Sequence, residues 1–230
     1  MLFRSSPTYA VSNKQKDVIA EKISDGYTNR WFLDPLLKGN YPKDMVQLYE
    51  KEVGALDFIV DGDLDIISTD MDFLGINYYT RTIVEYDEHS QLKFTGVEGE
   101  KEKTAMGWEN SPESLYDLLS RIKGEYTRLP LYITENGAAY DDVVTEDNKV
   151  HDIERINFIK AHLEVMQKFI KDGGNLKGYY LWSLMDNFEW TYGYSKRFGI
   201  VYVDYNTQER IMKDSAIWYK NFIKDRSLEV

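Results

Sequence analysis

The sequence contains no cysteine. That excludes disulfides, thiolate-bound zinc, iron–sulfur clusters and thiol nucleophiles together. Histidine is nearly as scarce: His89, His151 and His162 are the only three, and none has HExxH spacing. A histidine-built metal site is therefore not expected. No apolar run approaches the roughly 18 residues of a membrane helix. The first residues, MLFRSSPTYA, carry one Arg with no long apolar core behind it, so the chain reads as cytoplasmic, without a signal peptide. The phosphate-cradling patterns GxGxxG and GxxxxGK[ST] are also missing, which argues against a doubly wound nucleotide-binding fold. No Pro/Gly/Ser-rich linker, low-complexity tract or internal repeat divides the 230 residues. One domain over 1–230 is the expectation.

What the sequence has is acid and aromatic surface. There are 39 acidic against 28 basic residues, a net charge of −11. Such a surface repels phosphate backbones, so nucleic acid is not an expected partner. Aromatic residues make up 14%, with 18 Tyr, 10 Phe and 5 Trp. Tyr and Trp pair a flat apolar face with a hydrogen-bonding edge, which suits neutral polar ligands such as sugars. A Tyr-rich core gives the same composition, and the count does not choose between them.

Helical periodicity covers about 13–37, the stretch opened by Pro42, 111–123, 150–172 and 212–225. Ser111 is placed as an N-cap with Pro112 as first helical residue, and Gly173–Gly174 as the stop of the longest helix. Between the helices lie short apolar runs at 73–79 (FLGINYY), 129–134 (LPLYIT) and 178–184 (GYYLWSL), with MLFRSSP as one more candidate. Continuous apolar runs predict strands buried on both faces, the mark of a parallel sheet. FGIVYVDY at 198–205 reads as a small hairpin outside that sheet. The fold class is α/β with about four parallel strands.

Each apolar run ends in residues a core does not choose. In α/β folds the carboxyl ends of the strands carry the site. Glu135 follows an apolar strand and precedes Asn-Gly, which leaves a carboxylate at a rigid strand tip. That suits a nucleophile or general base, and equally a solvated turn residue. Glu189 lies among Trp182, Phe188, Trp190 and Phe198, where it could accept hydrogen bonds from hydroxyls while the rings stack on a sugar, or be a surface charge beside core aromatics. Elsewhere the features read as structural. Glu98–Lys103 is expected to be a mobile surface loop, Asp152 and Arg155 to cap or pair within their helix, His151 and His162 to lie on helix surfaces, and Lys196–Arg197 to be a solvated turn.

Five stretches together resemble the β-glucosidases of glycoside hydrolase family 1: DGYTNRWFLDPLLKGNYPKDM, MDFLGINYYT, GWENSPESLYDLL, LYITENG, and LKGYYLWSLMDNFEWTYGYSKRFGIVYVDYNTQERIMKDSAIWYKNFI. The resemblance runs along essentially the whole chain. It implies that Glu135 is the nucleophile of a retaining mechanism, hydrogen-bonded by Tyr79, with Asn77 beside it near the sugar. It also implies Trp182 as the floor under the ring, Glu189 and Trp190 as holders of its distal hydroxyls, Phe198 as a closing wall and Trp108 as a leaving-group platform. The family's phospho-glycosidases tend to carry Ser where Glu189 stands and Tyr where Phe198 stands, so an unphosphorylated β-glucoside or short β-linked oligosaccharide is implied. No cofactor is implied, because glycosyl transfer needs only carboxylates and water.

Family 1 enzymes are (β/α)₈ barrels with a general acid/base in a TFNEP-type motif, and this sequence has no NEP triplet. The resemblance covers strands five to eight, so the expected architecture is a parallel half barrel, the C-terminal half of a TIM barrel. Two readings follow. The chain is half of a retaining β-glucosidase, inactive alone, or it is a non-catalytic module that self-associates and at most binds sugar weakly. Open strand edges predict pairing with an N-terminal half or a second copy. Arg4 departs from the uncharged residue usual in the first of these strands.

Overall fold

The computed structural model describes residues 2–228, with side chains from Ser5 onward. Four strands form the central sheet: β1 (Leu2–Ser5), β3 (Leu74–Tyr78), β6 (Leu131–Asn136) and β7 (Leu176–Leu181), in the order β1-β3-β6-β7 and all parallel. A second sheet joins β2 (Thr8–Ala10), β4 (Thr82–Tyr86) and β5 (Phe94–Val97). The predicted hairpin is β8 (Val201–Val203) with β9 (Arg210–Met212), antiparallel and separate from both sheets. The Arg4 side chain lies outside the described residues.

Helices connect the parallel strands. They are α1 (Gln15–Asp25), α2 (Trp31–Lys38), α3 (Lys43–Val53), α4 (Asp63–Ile67), α5 (Pro112–Arg121), α6 (Ile153–Lys171) and α7 (Asp214–Asp225). A π-helical turn at Gly26–Arg30 joins α1 to α2, so the periodicity read over 13–37 is one nearly continuous rod. Pro42, expected inside α3, is instead its extended cap residue. Ser111 does sit at the cap of α5, with Pro112 first in the helix. Its hydroxyl bonds the side chains of Glu113 and Ser114 at 2.8 Å instead of the helix N–H groups. Gly173 ends α6 at φ +78, a conformation that glycine adopts without strain.

One face of α6 buries Arg155, Phe158, Ile159, His162, Leu163, Met166 and Phe169, at spacings of three and four residues. Phe158, Ile159, Leu163, Met166 and Phe169 pack with Leu115, Leu118 and Leu119 of α5 against Leu74, Ile76, Leu131 and Ile133 of the sheet. His162 is fully buried and not on the surface as expected. It stacks on Phe158 at 4.0 Å. Burial pushes its pKa down to about 4, and the neutral ring donates from Nδ1 to the Phe158 carbonyl at 2.8 Å. His151 is exposed, as expected, but precedes α6 and does not lie on it.

The apolar runs predict strands covered on both faces, and the structure covers one. In β6, Leu131 and Ile133 are buried against the helices while Tyr132 and Thr134 are only half-buried; in β7, Lys177 and Tyr180 are exposed. Among the described residues, the face of β6 and β7 away from the helices is open at Lys177 and Tyr180, and β1 and β7, at the ends of the sheet, pair on one side only. The second sheet escaped the sequence reading because its strands are three to five residues long and rich in polar positions. Nor is Glu98–Lys103 wholly loose: the Lys103 ammonium bonds Glu98 at 2.6 Å.

Several carboxylates sit against cations or amides. Arg30 grips Asp44 through two 2.9 Å bonds and holds its pKa down to about 2. Against the cost of burial, Arg81 and the Lys101 N–H keep Glu109 below the usual carboxylate range. With folded pKa values depressed, the unfolded chain binds more protons as the pH falls. Stability is therefore complete above the unfolded value near pH 4 and is lost progressively toward about pH 2. Urea unfolding measured across that window should show the decline, and a flat profile would contradict it.

Candidate active site

The carboxyl ends of β3, β6 and β7 meet at one cleft of about 520 Å³. It is lined by all eight residues singled out from the sequence: Asn77, Tyr79, Trp108, Glu135, Trp182, Glu189, Trp190 and Phe198. Sequence reasoning had not singled out Met106, Asn187, Thr191 or Tyr192, which share the wall. Asn187 was accessible to it as the neighbour of Phe188 in the same motif.

Backbone irregularity aims the central groups. The β3–β6 pairing shifts register between Ile76 and Asn77, so that Asn77 stands opposite Glu135. The β6–β7 pairing shifts between Ile133 and Asn136. Both ladders thus break around Thr134–Glu135, and a bulged strand can turn a side chain that would otherwise follow the pleat. Tyr79 donates its hydroxyl to Glu135 Oε2 at 2.7 Å. Thr134 donates to Asn77 Oδ1 at 2.6 Å. The Tyr79 ring lies 5.5 Å from Trp108 and 6.1 Å from Phe198, and those two are 6.2 Å apart. Three aromatic rings therefore wall the cleft beside the carboxylate.

Asn136 and Gly137 hold the three strand ends together. Asn136 is buried; its amide donates to the Tyr78 carbonyl at 3.0 Å, and its side-chain oxygen accepts from Tyr179 at 3.1 Å. Its backbone carbonyl accepts the Trp182 N–H at 2.9 Å. A Cβ on Gly137 would lie 1.7 Å from the Trp182 carbonyl oxygen. Only glycine lets the turn after Glu135 touch the backbone that carries Trp182.

The segment after β7 leaves the sheet and forms the outer wall. Glu189 is partly buried, Phe198 is buried, and Trp190 is 80% exposed at the rim. The Lys196–Arg197 pair is not a solvated turn. Lys196 donates to the Ala105 carbonyl at 2.5 Å, and Arg197 to Asp186 at 2.5 Å and the Val203 carbonyl at 3.0 Å. Both cations are drawn inward by acceptors that sequence distance conceals. Among the described residues no group of His, Asp or Glu is arranged to hold a metal ion, and none of the described helices is long and apolar enough to cross a membrane.

The model of the family described as glycosyl hydrolase family 1 matches residues 1–228. The chain belongs to this family. It is 46% identical over 229 residues to a 1,4-beta-D-glucan glucohydrolase of Thermotoga neapolitana, covering 99% of this chain and 51% of that protein. It is 45% identical to beta-glucosidase A of Thermotoga maritima, again over 51% of that protein. A 6-phospho-beta-galactosidase of Leptotrichia buccalis is 40% identical over 90% of this chain and 50% of its own length. Among solved structures, the family 1 β-glucosidase of Exiguobacterium antarcticum superposes with a TM-score of 0.95 at 50% identity, over 97% of this chain and 50% of that one. The Thermotoga maritima β-glucosidase bound to deoxynojirimycin gives 0.90 at 44% identity, over 98% of this chain and 50% of that one. The chain spans about half the length of the curated relatives it matches, and its parallel sheet with helices on one side is half of a family 1 barrel.

Proposed function

We infer that the cleft is the sugar site of a retaining β-glucosidase, carried on a single half-barrel domain over 1–230. The observation that supports this most is the Tyr79–Glu135 hydrogen bond at the carboxyl end of β6, facing a wall of Trp108, Trp182 and Phe198. A carboxylate fixed by a hydroxyl and open to an aromatic-lined cleft suits attack on an anomeric carbon. In that reading Glu135 is the nucleophile. The bond from the anomeric carbon to the leaving oxygen breaks as a glycosyl ester forms, and water then hydrolyses the ester. Trp182 stacks under the ring, Asn77 and Glu189 hydrogen-bond its hydroxyls, Trp190 covers the distal edge and Trp108 receives the leaving group. The substrate class is an unphosphorylated β-glucoside or short β-linked oligosaccharide. Glu189 would repel a phosphate, and the nearby cations Lys196 and Arg197 are already committed to other acceptors.

The chemistry on this chain is incomplete. Retaining hydrolysis uses a second carboxyl about 5 Å from the nucleophile, and the sequence lacks the NEP motif that supplies it in the family. Loss of acid/base help removes about 10²–10⁴-fold in rate, so the isolated chain is expected to hydrolyse unactivated glucosides poorly. The edges β1 and β7 take up strands of an N-terminal half barrel or a second copy of the chain. A solution mass equal to one folded chain under dilute conditions would overturn that pairing.

The test of the site is intact-protein mass after incubation with an activated 2-deoxy-2-fluoro-β-glucoside. Its good leaving group removes the need for an acid, so the experiment isolates the nucleophile. One added fluoroglucosyl group, mapped to the peptide carrying Glu135, is the expected result. Absence of any adduct would favour the non-catalytic module, which the missing acid/base motif also fits.

A further inference from the structure

Behind the cleft lies a buried ionic cluster that neither the sugar chemistry nor the core requires as such. Three carboxylates, Asp142, Asp152 and Asp186, meet three cations, Arg155, Arg197 and Lys213. Asp142, Asp152, Asp186, Arg155 and Lys213 all have side chains no more than 2% exposed. Arg155 binds both Asp142 oxygens at 3.0 and 2.7 Å, the Arg197 carbonyl at 2.9 Å, and Asp152. Lys213 donates to Asp142 at 2.5 Å and to Asp186 at 2.9 Å.

The members come from the segments that build the site. Asp142 is in the loop that follows Glu135. Asp186 is in the wall between Trp182 and Glu189. Asp186 also accepts the N–H groups of Gly199 at 3.0 Å and Val203 at 3.3 Å, which fixes the strand of chain that carries Phe198. Lys213 is the cation that touches carboxylates of both loops. Each carboxylate keeps another partner without it: Asp142 has Arg155, and Asp186 has Arg197 and two amides. What Lys213 adds is a direct side-chain join between the two carboxylates, beside the Arg197 carbonyl, which accepts from Arg155 and from the Tyr140 N–H.

We propose that Lys213 is a positioning residue for the sugar site, its ammonium holding the Trp182–Glu189 wall and Phe198 in register with the loop behind Glu135. Burial of an ammonium is costly unless it is paired, and a long lysine stem with a single charged tip reaches both carboxylates from the end of the β9 hairpin. The inference rests on the sugar-site reading for its consequence, and on geometry alone for the join.

The experiment compares the full chain with Lys213→Met and, from the other side of the same join, Asp142→Asn. The limiting rate constant of fluoroglucoside labelling reports the nucleophile, and the half-saturating concentration reports the wall. The expected result is a half-saturating concentration raised about tenfold or more with the limiting rate changed less than about threefold. Equal loss in both constants, or no change in either, overturns the proposal. Amide exchange supplies a readout without sugar. In either variant, exchange at 183–203 should rise while β3 and α6 keep their protection; uniform change across the chain, or none, overturns the join. If the unaltered chain forms no adduct, the sugar-site reading fails and exchange alone decides the positioning role.

Discussion

In Glu135→Gln the fluoroglucosyl adduct is expected to disappear, with labelling slowed by at least about a thousandfold, which corresponds to about 4 kcal/mol of barrier. The amide keeps the size of the carboxylate and can still accept the Tyr79 hydroxyl, which donates to it at 2.7 Å in the parent. It cannot form the ester, because its oxygen carries no negative charge to attack with. The variant should melt close to the parent, since Glu135 is only partly buried at a strand tip. Loss of the adduct with an unchanged melt identifies chemistry, not collapse, as the cause. Labelling at an undiminished rate would place the nucleophile elsewhere in the cleft.

The second large effect concerns stability. Arg155→Met is expected to lower the free energy of unfolding by about 3–5 kcal/mol, because it leaves buried carboxylates short of a cation. Asp152 would retain only Ser215, whose N–H and hydroxyl it accepts at 2.8 and 2.5 Å. Asp142 would retain Lys213. Since whole domains are stable by about 5–15 kcal/mol, a change of that size shifts the denaturant midpoint far. Removing Lys168 from its pair with Asp172, both about half exposed, serves as the contrast and should cost less than about 1 kcal/mol. A loss below about 1 kcal/mol in Arg155→Met would mean the cluster is neutral bookkeeping of charge and not a support.

The contrast between these two residues shows what the sequence could tell. Glu135 was readable because an apolar run ends abruptly at Glu-Asn-Gly, and that local break survives in the structure as a strand tip. The same logic found β3 and β7, although β7 begins and ends earlier than its apolar run. Arg155 read as a residue that caps or pairs with Asp152 within its helix. The pairing is present, but its depth depends on Asp142, Arg197 and Lys213, which no local pattern brings together. Lys213 itself, between Ile-Met and Asp-Ser, has the look of any charged residue at a hairpin end. The open face and edges followed from the half-barrel resemblance, whereas the apolar runs alone pointed to burial on both faces. Apolar composition reports what a strand is suited to pack against, and says nothing of whether the partner is on the same chain.

The strand order carries a kinetic consequence. Leu2 pairs with Gly75, Leu74 with Leu131 and Leu131 with Leu176, so every contact in the main sheet closes a loop of many tens of residues. The entropic difference between the longest and the shortest of these loops is only about 0.5 kcal/mol, yet such non-local pairings are slow to find. The shortest loop also contains α6, whose 19 residues can gain helix before the strands meet. The unit β6–α6–β7 is therefore the expected nucleus, and β1 the last strand to dock. The strand bearing Glu135 and the one leading to Trp182 thus come into register early, while the side of the sheet around β1 is still unformed.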